Sequence, residues 1–224
     1  MAGGCKGGRS VVPSTPSASS ASAAGAFWTE PFDTLNPTRW TEVQVHRQMQ
    51  SQPQFTAQVL EGRPCLEARS RRSASILMTA LQFHPRTAPW LSWDWRVDQL
   101  VEGEALTRKE GSDAAARLYV YFDTKGSSWQ KRSLDYVWSS SLPVGTVLDS
   151  AFSSNSKILV VESGTAALGR WRHVQRNLDD DYRRCFKAPA PGVINIGLMS
   201  DTDNTGGSAL AYFDELRVSR SAAR

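Results

Sequence analysis

Apolar and polar side chains alternate along most of the chain after residue 26, with the period of strands rather than helices. In residues 90–98, Leu91, Trp93, Trp95 and Val97 fall on one side, and Ser92, Asp94, Arg96 and Asp98 on the other. Residues 114–123 repeat the pattern: Ala116, Leu118, Val120 and Phe122 make an apolar face, and Arg117, Tyr119 and Tyr121 a polar and aromatic one. Leu134, Tyr136 and Trp138 share a side in residues 134–140. Further strands are predicted over residues 41–50, 65–70, 74–83 and 171–178, and a weaker one over residues 55–61. The unbroken run Ile158, Leu159, Val160, Val161 predicts a strand covered on both faces. Residues 179–186 predict a short helix or an irregular turn.

Residues 193–218 predict strand, turn, strand. Ile194, Ile196 and Leu198 alternate with Asn195, Gly197 and Met199, and residues 201–207 are dense in turn formers. Beyond them Leu210, Tyr212, Asp214, Leu216 and Val218 share one face, with Ala209, Ala211, Phe213, Glu215 and Arg217 opposite. This is the pattern of a late hairpin. Roughly ten or eleven strands at short, regular spacing predict an all-β protein, an antiparallel β-sandwich or jelly roll. The sandwich would occupy residues 27–220, behind a Ser/Ala/Pro/Gly-rich, disordered tether over residues 1–26.

Composition narrows the function classes. Eight Trp, eight Phe and five Tyr in 224 residues fill a core and leave aromatics for a binding face. A net charge of +4 with no Lys/Arg run beyond pairs argues against nucleic acid as a partner. No stretch approaches the roughly 20 apolar residues of a membrane span. Ala2-Gly3-Gly4-Cys5 resembles the end of a lipoprotein signal, although Ala2 stands where Leu is usual and no charged or apolar region precedes it. Cys5 is therefore either a lipid-anchor site or an incidental residue of the tail. With an anchored, oxidised domain Cys65 and Cys185 are candidates for a disulfide; in a reducing compartment they are core thiols.

Two clusters carry candidate chemistry. Asp201, Asp203 and Thr205 space oxygen ligands at alternate positions before Gly206, and Asp214 could join them. That spacing suits calcium, which needs several oxygens converging in one turn; the alternative is a metal-free turn held by Asx hydrogen bonds. Arg117, Tyr119, Tyr136, Trp138, Arg176 and Asn177 could form a sugar-binding platform, with rings for C–H faces and Arg and Asn for hydroxyls. The alternative places Tyr136 and Trp138 in the core, and Arg117 in a buried pair with Asp181 or Asp113. A sandwich glycosidase needs two carboxylates roughly 5–10 Å apart, and no Glu-x-Asp-x-x-Glu string supplies them here.

Several segments together resemble a bacterial domain-of-unknown-function family, DUF 3047. They are Trp93-Asp94-Trp95, residues 113–120, Tyr136-Val137-Trp138, Glu162-Ser163-Gly164, Trp171, Arg176-Asn177, Asp181-Tyr182, and residues 201–205 with Tyr212 and Asp214. The resemblance implies a concanavalin-like sandwich and a periplasmic or cell-envelope location. It supplies no catalytic residue. The function expected is non-catalytic: a peripheral subunit docking on a larger membrane protein complex, or a glycan-binding sandwich whose partner is a polysaccharide. The alternative is a carbohydrate-active enzyme, hydrolase or lyase, with a dispersed site.

Overall fold

The computed structural model describes residues 25–45, 54–127 and 131–222. Cys5, most of the expected tether and the second half of the strand expected over residues 41–50 lie outside the described residues. Two sheets pack face to face. The six-stranded sheet runs β11 (Arg172–Asn177), β6 (Trp90–Gln99), β13 (Ser208–Ser219), β4 (Arg63–Arg71), β3 (Phe55–Leu60), with β1 (Ala26–Glu30) also on β13. The seven-stranded sheet runs β2 (Thr41–Gln44), β5 (Ala74–Phe83), β12 (Val193–Asp201), β7 (Ala116–Phe122), β8 (Ser133–Ser139), β10 (Ser153–Ser163), β9 (Val147–Ser150). The antiparallel sandwich is thus confirmed, with thirteen strands among the described residues and one parallel pair, β8 with β10. β1 and β9 are absent from the strands expected.

The core lies between the sheets. Leu91, Trp93, Trp95 and Val97 of β6 meet Leu134, Tyr136 and Trp138 of β8, all within 1 % of full burial. Trp93 packs on Tyr136 at 5.3 Å and Trp95 on Trp138 at 5.9 Å, so an aromatic column joins the two sheets. The alternation seen in sequence is what delivers these rings to one side.

The expected hairpin is not one. β12 pairs with β5 and β7, whereas β13 pairs with β4, β6 and β1, in the other sheet. Residues 202–207 are an arch that carries the chain between layers. The strict alternation expected along β13 also breaks. Ala209, Ala211 and Phe213 face the core, and then Leu216 and Val218 do. A bulge at Glu215, with φ of 49°, inserts the extra residue and switches the faces.

Residues 178–186 form the helix α1 (Leu178–Phe186). Asn177 caps it, its side chain accepting from Asp179 N and Asp180 N, and Leu178 and Tyr182 fix it to the core. Cys65 and Cys185 are both free thiols, so the candidate disulfide is not formed. Burial pushes the Cys185 thiol up to about 11.

A second, smaller apolar cluster lies on the outer face of the seven-stranded sheet. Val137, Ile158 and Val160 are covered there by Leu106, which accounts for the doubly buried run in β10. Leu106 belongs to the loop of residues 102–112, which is otherwise rich in charged side chains. Glu104 ties that loop down, accepting from Ser139 Oγ and Ser140 N. Its ends close through Gly111, where a Cβ would come within 2.8 Å of Ala105 N. One end of the outer face is therefore covered.

Candidate ligand groove

The uncovered end of that face is a groove of about 330 Å³. Register lays the outward residues of this end of the sheet in rows across β5, β12, β7 and β8. Ile76, Met199 and Arg117 make one row; Met78, Gly197, Tyr119 and Asp135 the next; Ala80, Asn195, Tyr121 and Ser133 the third. Gly197 keeps the floor open, because a Cβ there would meet Ile76 Cγ2 at 2.8 Å and Tyr119 Cβ at 3.7 Å. Tyr119 and Tyr121, two apart on β7, stack at 5.5 Å with their planes 12° apart. Burial pushes both phenols up, so they stay protonated. Phe152, 58 % exposed, stands on the rim.

Charges line one end. Arg117, only 3 % exposed, donates through Nη2 to Ser112 O at 3.0 Å and lies 3.6 Å from Asp201 Oδ2. Asp201 Oδ1 accepts from Ala114 N. Burial pushes the Asp201 carboxyl up to about 7 against the pull of Arg117, with Asp113 adding to the rise. Asp135, on β8, accepts from the hydroxyls of Ser133 and Ser156, and burial holds its carboxyl at about 6. Burial opposes the charge on Arg117, but Asp201, Tyr119 and Asp135 outweigh it and raise its pKa. Among the described residues, two polar atoms of side chains that line this end have no partner, Ser112 Oγ and Arg117 Nε.

The six expected platform residues do not share a surface. Arg117 and Tyr119 line the groove. Tyr136 and Trp138 point the other way: Tyr136 Oη donates to Asp181 at 2.9 Å and Trp138 Nε1 to Gly164 O at 3.1 Å. Arg176 pairs with the same Asp181 and lies over the Tyr136 ring, and Asn177 caps α1. The buried partner of Arg117 is Asp201, not Asp181 or Asp113.

The four expected calcium ligands also separate. Asp214 sits on the outer face of the other sheet, held with Asp94 by Arg63, whose guanidinium lies 4.1 Å from the Trp171 ring centre. Asp113 instead joins Asp201 and Asp203, with carboxylate oxygens within 4.8 Å of one another. Asp113 already accepts from Asn204 N, Asn204 Nδ2 and Thr205 N, and Thr205 Oγ1 accepts from Gly207 N. These bonds hold the arch in the manner of an Asx turn, and Arg117 supplies positive charge beside Asp201 where a cation would sit.

The order of segments along both sheets is matched by one family model, described as a protein of unknown function (DUF3047), over residues 38–217. The chain belongs to the DUF3047 family. No curated protein matches it. Among solved structures, TmCBM61 in complex with β-1,4-galactotriose is similar to this DUF3047 domain at 10 % identity and a TM-score of 0.41, covering 85 % of this chain and 94 % of that one. The CBM22-1 xylan-binding domain of Paenibacillus barcinonensis Xyn10C is similar at 14 % identity and a TM-score of 0.40, over 89 % and 97 % of the two chains. A cellulase derived from Rhodothermus marinus Cel12A is similar at 10 % identity and 0.40, over 80 % and 99 %.

Proposed function

We propose that this DUF3047 domain is a non-catalytic glycan-binding sandwich whose site is the groove over β5, β12, β7 and β8. The observation that carries this is the stacked Tyr119–Tyr121 pair beside a row of hydrogen-bonding groups. Parallel rings offer apolar faces to sugar C–H groups, and polar side chains at the edge fix hydroxyls, the division of labour that polyhydroxylated ligands require. Polysaccharide is thereby favoured over a protein of a membrane complex, which would need a broader apolar surface.

The groove also holds two carboxyls with raised pKa values, the feature that would support a glycosidase. Their settings favour binding. Asp135 is 1 % exposed and engaged by two hydroxyls, and Asp201 is 3 % exposed and engaged by Ala114 N.

A glycan array probed with wild-type protein and with Tyr121→Ala tests the proposal. Wild type should retain a restricted set of glycans. The variant should keep its fold and bind them roughly tenfold more weakly, the effect of losing about 1.5 kcal/mol of ring contact. An array on which wild type retains nothing, or on which the variant matches it, would overturn the reading.

A further inference from the structure

The charged end of the groove asks for a particular functional group. Ser112 Oγ and Arg117 Nε are buried and find no partner among the described residues, and both side chains line the groove. Buried donors without a partner are uncommon, and these two, unlike the core atoms Trp93 Nε1 and Trp95 Nε1 in the same condition, belong to side chains lining a groove where an outside acceptor could meet them. Asp201 Oδ2 lies 3.6 Å from Arg117 Nη2, an ion pair longer than a hydrogen bond, and when the carboxyl is ionised this oxygen can accept from an external donor. In the same cross-strand row as Arg117 stand Met199 and Ile76, which are apolar. Acceptor, donor and a small apolar group are therefore wanted within one short span.

We infer that this end of the groove recognises an acetamido group, so that the ligand is a 2-acetamido sugar; the inference rests on the glycan-binding reading of the same groove. The acetamido carbonyl would accept from Arg117 Nε and Ser112 Oγ. Its N–H would donate to Asp201 Oδ2, and its methyl would lie on Met199 and Ile76. Other groups use this set less well. A carboxylate would meet Asp201 and Asp203, an ammonium or metal would meet Arg117, and a lone hydroxyl would leave the apolar row uncovered.

The test is an array of matched glycans with and without the 2-acetamido group, including forms bearing the free amine. Retained glycans should carry the acetamido group, and its loss should weaken binding at least about tenfold, since two or three hydrogen bonds go with it. The tightest of them is then titrated calorimetrically into wild type and Ser112→Ala. The variant should bind about three- to tenfold more weakly, the effect of one hydrogen bond, with no fall in melting temperature. Retention that ignores the acetamido group overturns the inference and leaves glycan binding standing. Unchanged affinity in Ser112→Ala also overturns it. Retention of no glycan at all overturns both.

Discussion

A single residue's side of the strand decides whether it is core or surface, and Trp138 makes the point. Its ring is fully buried against Trp95, and its Nε1 is bonded to Gly164 O. Trp138→Ala should therefore cost about 3–5 kcal/mol in urea unfolding, as large-to-small core changes do, and leave glycan affinity of the folded fraction unchanged. Loss of binding at full stability would instead put the ring in the site. Sequence already separated the two faces of β7 and β8, because Leu134, Tyr136 and Trp138 alternate with Ser133, Asp135 and Val137. What it did not show is that Tyr119 shares its face with the Asp135 set of β8 rather than with Tyr136 and Trp138. That follows only from the cross-strand register, in which Tyr119 stands opposite Asp135. Nothing local marks Ser112 and Met199 as groove residues either.

At the scale of elements, strand positions were legible and strand partners were not. The alternation in residues 74–83 predicts β5 at its observed bounds, because each side chain meets a different environment on each face. Turn formers in residues 201–207 report that the chain reverses. They do not report whether the flanking strands bond to each other, and here each bonds within its own sheet. The break in β13 was hidden too, since a bulge is a backbone choice that Glu215 does not announce. Its effect is large. Deleting Glu215 should turn Leu216 and Val218 away from the core, or Phe213 and its predecessors if the other half slips. Circular dichroism should show loss of the folded state; a cooperative melt near that of wild type would mean that β13 tolerates either register. α1 is half legible: Asp179, Asp180 and Asp181 suit a helix start, but in sequence the cap Asn177 reads equally as a hydrogen-bonding group for sugar.

For the molecule as a whole, buried carboxyls set the dependence of stability on pH. The folded state holds the Asp201 proton up to about pH 7, whereas its ordinary value is 3.8. The unfolded chain thus binds fewer protons between these limits, and this group's contribution falls as pH rises from about 4 to about 7. Asp135 and Asp214, both raised to about 6, act in the same direction. Asp94 and Asp179, both lowered, act in the opposite one. Asp201→Asn isolates the first contribution: its melting temperature should decline less than that of wild type between about pH 5 and about pH 8. Parallel curves for the two proteins would show that Asp201 titrates as an ordinary carboxyl.

The two strands joined by the arch are also the central ones. β12 lies between β5 and β7, and β13 between β6 and β4, so each sheet is completed from its middle. During synthesis the four flanking strands leave the ribosome first and have no partner to bridge them. Neither sheet can close until the strands over residues 193–219 have emerged, and nearly all the contacts then formed are distant in sequence. Such a chain folds late and slowly for its size, because the pairings at the centre of both sheets form only when most of it is already made.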